Sequence, residues 1–448
     1  MQTNVTVALL LFVASPAYAA GRSEAKPNVV VILVDAMRAR NLGVYGYARP
    51  TTPNLDRFAA GAVVFDDAIS QAAWTPASMG ALFTALDPSV LECRGMPHCG
   101  SGEVWLAPEV DTVAEQFRSA GYQTVALMKT WALPEDAGYP QGFDRYEIVQ
   151  RGVNVAAGES ARILTDAALA YLAERHDSPF LLYLHYMDTH APYRAPAPYY
   201  DRFSPGYTGP LTGEVEEMTR FITRGVVPTP VEVQRLVALY DGEIAYWDSQ
   251  FARIDKALAS AKLDRNTIVV VTADHGEGFY EHGQLSHGHL WQENIHVPLI
   301  LRVPGVKPRR VEGWVQQNAI GPTLAELAGV PPGRAWQAGS LAYAVRGGPL
   351  VPEPVYSQFR GLRMLIEPSG MKLISGEGTN HVFDLKADPD ERNDLTTTRP
   401  DDVTRLRAEL KARRARNAAL EATLPKPSDP IAEDAERDAQ LKALGYTE

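Results

Sequence analysis

The sequence predicts an α/β protein: a doubly wound, mainly parallel sheet with a smaller C-terminal α+β domain. Three observations predict it. Apolar, β-branched runs recur in the way strands buried on both faces do, helical patterns separate them, and the texture changes to short strands and turns after about residue 335.

The first strand is 28–34 (NVVVILV), almost wholly apolar, with Asp35 at its carboxyl end. Thr52 then caps a helix over 53–60 that has Pro53 at its first position. Asp111 opens a helix to Ala120, and a buried run at 124–127 follows. An amphipathic helix over 159–175 leads into the apolar strand 180–184, and a longer one over 232–261 leads into 267–271. A further run covers 298–303. Beyond it, 355–359, 364–367, 371–375 and 382–385 read as short strands, and a charged helix covers 401–417. The expected organisation is a leader over 1–19, a large α/β domain over 27–334, an α+β subdomain over 335–421 and a tail over 422–448.

The 448 residues are 45% hydrophobic, enough for a large core, and carry a net charge of -11 from 54 acidic and 43 basic residues. That balance leaves no electrostatic footprint for nucleic acid, so an anionic partner must be met by a local cationic site. The opening segment has an apolar stretch over 5–14 and then Ala17-Tyr18-Ala19, which reads as a signal peptide cleaved after Ala19 although no Lys or Arg precedes the stretch. An uncleaved tether is the other reading. No other stretch approaches the roughly 18 apolar residues of a spanning helix, so no integral span is expected in the mature chain. The expected location is the periplasm or outside the cell. Cys93 and Cys99 are the only cysteines, and in an oxidising compartment they are suited to a short disulfide.

Candidate chemistry is concentrated in three segments. Thr272-Ala273-Asp274-His275-Gly276-Glu277-Gly278 directly follows a buried strand, and five of the ten histidines, 275, 282, 287, 289 and 296, fall within 22 residues. A carboxylate beside an imidazole at a strand end suits a divalent cation of zinc, manganese or calcium type. A solvated-loop role stays open for His282, His289 and His296. In the second segment, Trp74-Thr75-Pro76, a hydroxyl stands at a helix amino terminus, where free N–H groups favour developing negative charge. Taken alone, Thr75 reads as a helix cap. The third segment, His185-Tyr186-Met187-Asp188-Thr189-His190-Ala191-Pro192-Tyr193, again follows a strand. His190 is a candidate substrate contact, and His185 and Asp188 are open to structural roles, a second metal or ligand orientation.

In order along the chain, PNVVVILVDAMRARNLGVYGY, TTPNLDRFAAGAVVFDDA, WTPASMGALFTAL, GYQTVALMKT, LHYMDTHAPY, YDGEIAYWDSQ, TADHGEGFYEHG, HVPLILRVPG and VFDLKADPDERNDL resemble the sulfatase family of the alkaline-phosphatase superfamily. The resemblance covers nearly all of the chain after the leader and implies that family's fold, a large α/β domain with a small C-terminal sheet domain. It implies Asp35, Asp274 and His275 as metal ligands, with Thr75 as nucleophile and fourth ligand. It places Lys129, His190 and His287 where substrate charge is neutralised or a leaving group protonated. Three departures from the family pattern stand out. Thr75-Pro76-Ala77-Ser78-Met79 replaces Cys-x-Pro-x-Arg, so formylglycine is not expected. Asp35-Ala36 replaces a pair of aspartates, and His275 replaces the usual Asn or Gln.

The implied activity is metal-dependent hydrolysis of an anionic ester, carried by a sulfated or phosphorylated small molecule or glycan. A non-catalytic metal-containing binder of the same fold and a periplasmic phosphoryl-group transferase are the alternatives. The loop over 195–230 is expected to shape the substrate pocket.

Overall fold

The computed structural model describes residues 26–91, 104–150, 158–376 and 378–424. The leader, Cys93 and Cys99, and the tail from residue 425 lie outside the described residues.

Among the described residues, fourteen strands form three sheets. In chain order they are β1 (Asn28–Val34), β2 (Val63–Ile69), β3 (Gln123–Met128), β4 (Arg145–Ile148), β5 (Phe180–Tyr186), β6 (Thr267–Thr272), β7 (Gly278–Phe279), β8 (Leu285–Ser286), β9 (His296–Arg302) and β10 (Arg309–Gln316). The last four are β11 (Val355–Phe359), β12 (Leu362–Ile366), β13 (Met371–Gly376) and β14 (Thr379–Asp384). The main sheet has the order β10-β2-β9-β6-β1-β5-β3-β4, and β9 runs antiparallel to both its neighbours while the other pairings are parallel. β11 to β14 form an antiparallel sheet, and β7 pairs with β8. This is the expected α/β architecture, a mostly parallel sheet covered by helices with a small C-terminal sheet domain.

The centre of the sheet fixes where chemistry happens. β1 lies between β5 and β6, parallel to both, and Leu33 is level with His185 and with Thr272. Three carboxyl ends therefore open on one edge, where ligands of such sheets bind. β1, β5 and β6 are buried along nearly their whole length, which is why they read as continuous apolar runs.

One long helix, Pro230–Ser260, fastens the loop that follows β1. Its start is set by a Thr229–Glu232 capping box with Pro230 in the first turn. From it Tyr240 Oη donates to Ala36 O and accepts from Arg38 N, both at 2.8 Å. Asp248 accepts the N–H groups of Asn54 and Leu55 at 3.0 and 2.8 Å.

One cap expectation is corrected, and Thr52 holds the expected cap position before Pro53. Thr112, not Asp111, caps the helix Val113–Ser119, through a capping box with Glu115. Thr52 makes no cap hydrogen bond; its hydroxyl donates to Asp56 Oδ1 at 3.0 Å and accepts from Gly43 N at 2.9 Å. Among the described residues no helix is long and apolar enough to cross a membrane.

Candidate active site

Asp35 continues β1 past its last residue, and its N–H still donates to Tyr186 O at 2.8 Å, so the strand ladder itself holds the residue in place. Asp274 and His275 leave β6 at the same level. Asp274 Oδ1 accepts from Ala36 N at 3.0 Å and from His275 N at 2.8 Å, which turns Oδ2 inward. Ala36 holds φ at 57°, a left-handed conformation uncommon for alanine, and this directs its N–H at Asp274. The imidazole of His275 is oriented by Nδ1, 2.8 Å from Gly276 O. With the proton on Nδ1, Nε2 presents a lone pair to the interior.

Thr75 is the first residue of the helix Thr75–Thr84, and Trp74 holds the cap position without a side-chain cap bond. The capping reading of Thr75 is thereby corrected: its hydroxyl points away from the helix, 3.4 Å from Asp35 Oδ2 and 3.2 Å from His275 Nε2. His275 Nε2 is in turn 3.8 Å from Asp35 Oδ1 and 3.4 Å from Asp274 Oδ2. All four side chains are fully buried.

This is an arrangement that fits a divalent cation. Asp35, Asp274 and His275 each offer a ligand atom within 4.8 Å of the others. Asp35 Oδ1 and Asp274 Oδ2 are buried with no hydrogen-bond donor among the described residues, a costly state for a carboxylate unless a cation meets it.

Residues 27–330 match the family model for sulfatases. The chain is 26% identical to the Delta 4,5-hexuronate-2-O-sulfatase of Bacteroides thetaiotaomicron over 435 residues, covering 84% of this chain and 86% of that enzyme. Its fold is similar to that of the phosphonate monoester hydrolase of Agrobacterium radiobacter, with a TM-score of 0.71, 21% identity and coverage of 87% of this chain and 96% of the other. A putative sulfatase structure from Bacteroides thetaiotaomicron superposes with a TM-score of 0.73 at 23% identity, covering 92% and 96%. The chain belongs to the sulfatase family. It is thus a sulfatase-like ester hydrolase of the alkaline-phosphatase superfamily.

Within this sulfatase-family site, electrostatics separates the two ends of the cluster. Burial alone would raise the Asp35 carboxyl, but the His185 hydrogen bond and the fields of His190, His275 and His185 outweigh it and hold it below the usual carboxylate range. For His275 burial works downward, and the charges of Asp274 and Asp35 overcome it and raise the imidazole. His287 goes the other way, lowered by burial and then by the neighbouring His275.

His185 bridges Tyr183 and Asp35. Tyr183 Oη lies 2.7 Å from its Nδ1, so Nε2 carries the proton toward Asp35 Oδ2 at 3.4 Å. His287 stacks over His275 with ring centres 4.4 Å apart and meets His190 at 5.2 Å. His190 Nδ1 is 2.8 Å from Ala191 O. Lys129 stands one strand further out, past the end of β3, with its ammonium 2.9 Å from Val149 O. Burial lowers its pKa and the nearby Asp188 offsets part of that. Asp188 is pushed up to about 7 by burial and uses Oδ1 to accept from Ala161 N at 2.8 Å.

Three histidines of the cluster serve elsewhere or stand aside. His282 lies flat on Trp291, ring centres 4.1 Å apart, with Nδ1 2.6 Å from Glu293 Oε1. His296 holds Asp66 O at 2.8 Å. His289 is pushed down to about 4 by burial.

The sequence reading did not single out three supports. Glu277 sits 3.6 Å from His287 Nδ1 and accepts from Tyr193 Oη at 3.3 Å. Ser78 Oγ donates to Asp274 O at 2.6 Å, and Gln317 donates to Ala273 O. Glu277 lay inside the quoted motif, and its spacing of ten residues from His287 carries no periodic signal; Gln317 is distant in sequence.

Proposed function

We propose that this protein is a metal-dependent hydrolase of sulfate or phosphate esters in which Thr75 is the nucleophile. The observation that carries this reading is the position of Thr75 Oγ1, 3.4 Å from Asp35 Oδ2 and 3.2 Å from His275 Nε2, beside Asp35 Oδ1 and Asp274 Oδ2, buried oxygens with no donor among the described residues. Asp35, Asp274 and His275 would hold the ion, with Thr75 as a fourth ligand. A divalent ion bound there supplies positive charge that lowers the pKa of the Thr75 hydroxyl and neutralises ester oxygens. Two carboxylates and a neutral imidazole suit zinc or manganese better than calcium, which favours about six to eight oxygens.

The chain's own residues divide the remaining work. With the Thr75 proton released to solvent beforehand, Thr75 Oγ1 bonds to phosphorus or sulfur as the ester oxygen departs, and His287 or His190 in its protonated form gives that oxygen its proton. Water then displaces Thr75 in line, losing its proton to the same imidazole. Lys129 adds positive charge on the approach. A threonine ester has no aldehyde to collapse to, unlike a formylglycine hydrate, so a second displacement is required and phosphoryl transfer fits that requirement well. The named relatives act on a sulfated sugar and on phosphonate monoesters, which supports an anionic ester on a small molecule or glycan; the leader-like opening segment is the ground for placing that reaction in the periplasm or outside the cell.

Bound metal and turnover of nitrophenyl sulfate, phosphate monoester and phosphodiester, compared between the native protein and Thr75→Ala, test this. We expect bound zinc or manganese in both proteins, and turnover of a phosphate ester that falls by about a thousandfold or more in the variant. Turnover of sulfate alone would count against the threonine argument. Metal with no turnover of any ester would identify a binding protein instead.

A further inference from the structure

The small C-terminal sheet reaches into the site through one hairpin. Phe359 and Leu362 are paired across β11 and β12, so Arg360 and Gly361 form a two-residue turn. β11 is fastened to the segment that precedes the Thr75 helix: Gln358 N donates to Gln71 O at 3.0 Å, and Gln358 forms an isolated bridge with Ala72. Phe359 closes on the opposite wall as well. A Cβ added at Gly288, beside His287, would come within 3.0 Å of Phe359 Cζ, and the Phe359 ring lies 6.3 Å from that of Trp74. Trp74 itself is 5.7 Å from His287 and next to Thr75 in the chain.

At the tip of this hairpin stands Arg360. Its guanidinium lies over the Phe359 ring at 5.3 Å, it is exposed, and it makes no ion pair among the described residues. Its φ is 47°, in the left-handed region that turns of this length ordinarily give to Gly, Asn or Asp. An arginine kept in a position where a smaller residue costs less points to a use for its side chain. Arg363 braces the turn, donating to Leu362 O at 2.8 Å and to Arg360 O.

We infer that Arg360 is a specificity-determining residue that reads a second negative charge on the substrate, beyond the Phe359 and Trp74 rings from the ester held at Thr75. The preferred substrate is an anionic ester whose leaving group, or the residue next to it, carries a carboxylate or a further sulfate or phosphate. Phe359 and Trp74 supply the apolar wall between the two charges. This rests on the proposed ester hydrolysis at Thr75 and names which esters the site prefers.

The test uses two nitrophenyl esters that differ only in a ring carboxylate, and two proteins, the native chain and Arg360→Gly. Glycine suits the φ of the turn, so the fold is retained, and a thermal melt records it. The native protein is expected to favour the carboxylated ester in kcat/KM by about tenfold, mainly through KM, as a charge-assisted contact at a rim gives. In Arg360→Gly that ratio is expected to fall to about one, and Arg360→Lys to keep part of it. Turnover of both esters with no preference in the native protein, or a preference unchanged in Arg360→Gly, overturns the inference and leaves the hydrolase reading standing. No turnover of either ester by the native protein overturns the hydrolase reading, and this inference with it.

Discussion

The role proposed for His287 is to protonate the leaving group, and its surroundings bear on that role. Burial and the adjacent His275 lower its pKa, Glu277 Oε1 at 3.6 Å from Nδ1 offsets part of that, and an imidazole of low pKa releases its proton readily once an anionic substrate has favoured its protonated form. Glu277 remains anionic because the His287 hydrogen bond and charge outweigh its burial. We expect His287→Gln to lose activity by about a hundredfold or more on alkyl esters, which need a proton at the departing oxygen, and by much less on nitrophenyl esters, which do not. Steady-state rates across a series of leaving groups check this; equal losses across the series would assign the proton to another residue, with His190 the next candidate. The residue scale was only partly legible in the sequence. Asp35, Asp274 and His275 stood out because each directly follows a buried strand. Thr75 looked like a cap, since the preceding Trp74 gives no sign that it holds the cap position. His282 and His296 shared the histidine-rich stretch with His275, but Trp291 stacks on His282 and the Asp66 carbonyl claims His296, a partner far away in sequence.

At the scale of elements, the turn after β6 places Asp274 and His275, and its glycine is fitted closely. A Cβ added at Gly276 would overlap the carbonyl oxygen of Glu293, which is backbone and cannot swing aside. Gly339, by contrast, has nothing within 4 Å of an added Cβ and needs no left-handed φ. Gly276→Ala is therefore expected to displace His275, lowering bound metal severalfold and stability by about 1–3 kcal/mol, with Gly339→Ala near neutral. Metal analysis and denaturant melts on the two variants decide it, and equal behaviour would contradict the fit. Among the strands, β1 was legible to its ends because both faces are buried. β2 and β10 were not. VVFDDAI carries two aspartates, and RRVEGWVQ is charged because it lies on the sheet edge, so neither shows an apolar run or a clean alternation. β9 was legible as a strand but its antiparallel direction was not, since direction depends on the connections and not on the run itself.

Across the whole molecule, the small sheet is joined to the active-site loop by buried charge. Lys372 on β13 is fully buried, 2.5 Å from both Leu290 O and Glu391 Oε1, while Glu391 Oε2 accepts from Gln292 N at 2.6 Å. Such a pair adds orientation more than stability, because desolvation offsets much of its attraction. Here it ties the loop that carries His287 and His289 to the domain that carries Phe359 and Arg360. Together with the long helix that holds the loop after β1, this makes the site a product of the entire chain, which is why the order of motifs along the sequence was more informative than any one of them. The contact between the two sheets left no trace in the sequence, because Lys372, Glu391 and Leu290 belong to three separate segments.

The central claim is that Thr75 forms a covalent bond to the group being transferred. Mixing the metal-loaded protein with a nitrophenyl phosphate or sulfate ester, quenching in acid within milliseconds and measuring the intact mass and its fragments tests this most directly. The account predicts an added phosphoryl or sulfuryl group on the peptide that contains Thr75, absent from Thr75→Ala. Turnover by the native protein with the group on another residue, or sustained turnover by Thr75→Ala, would contradict it.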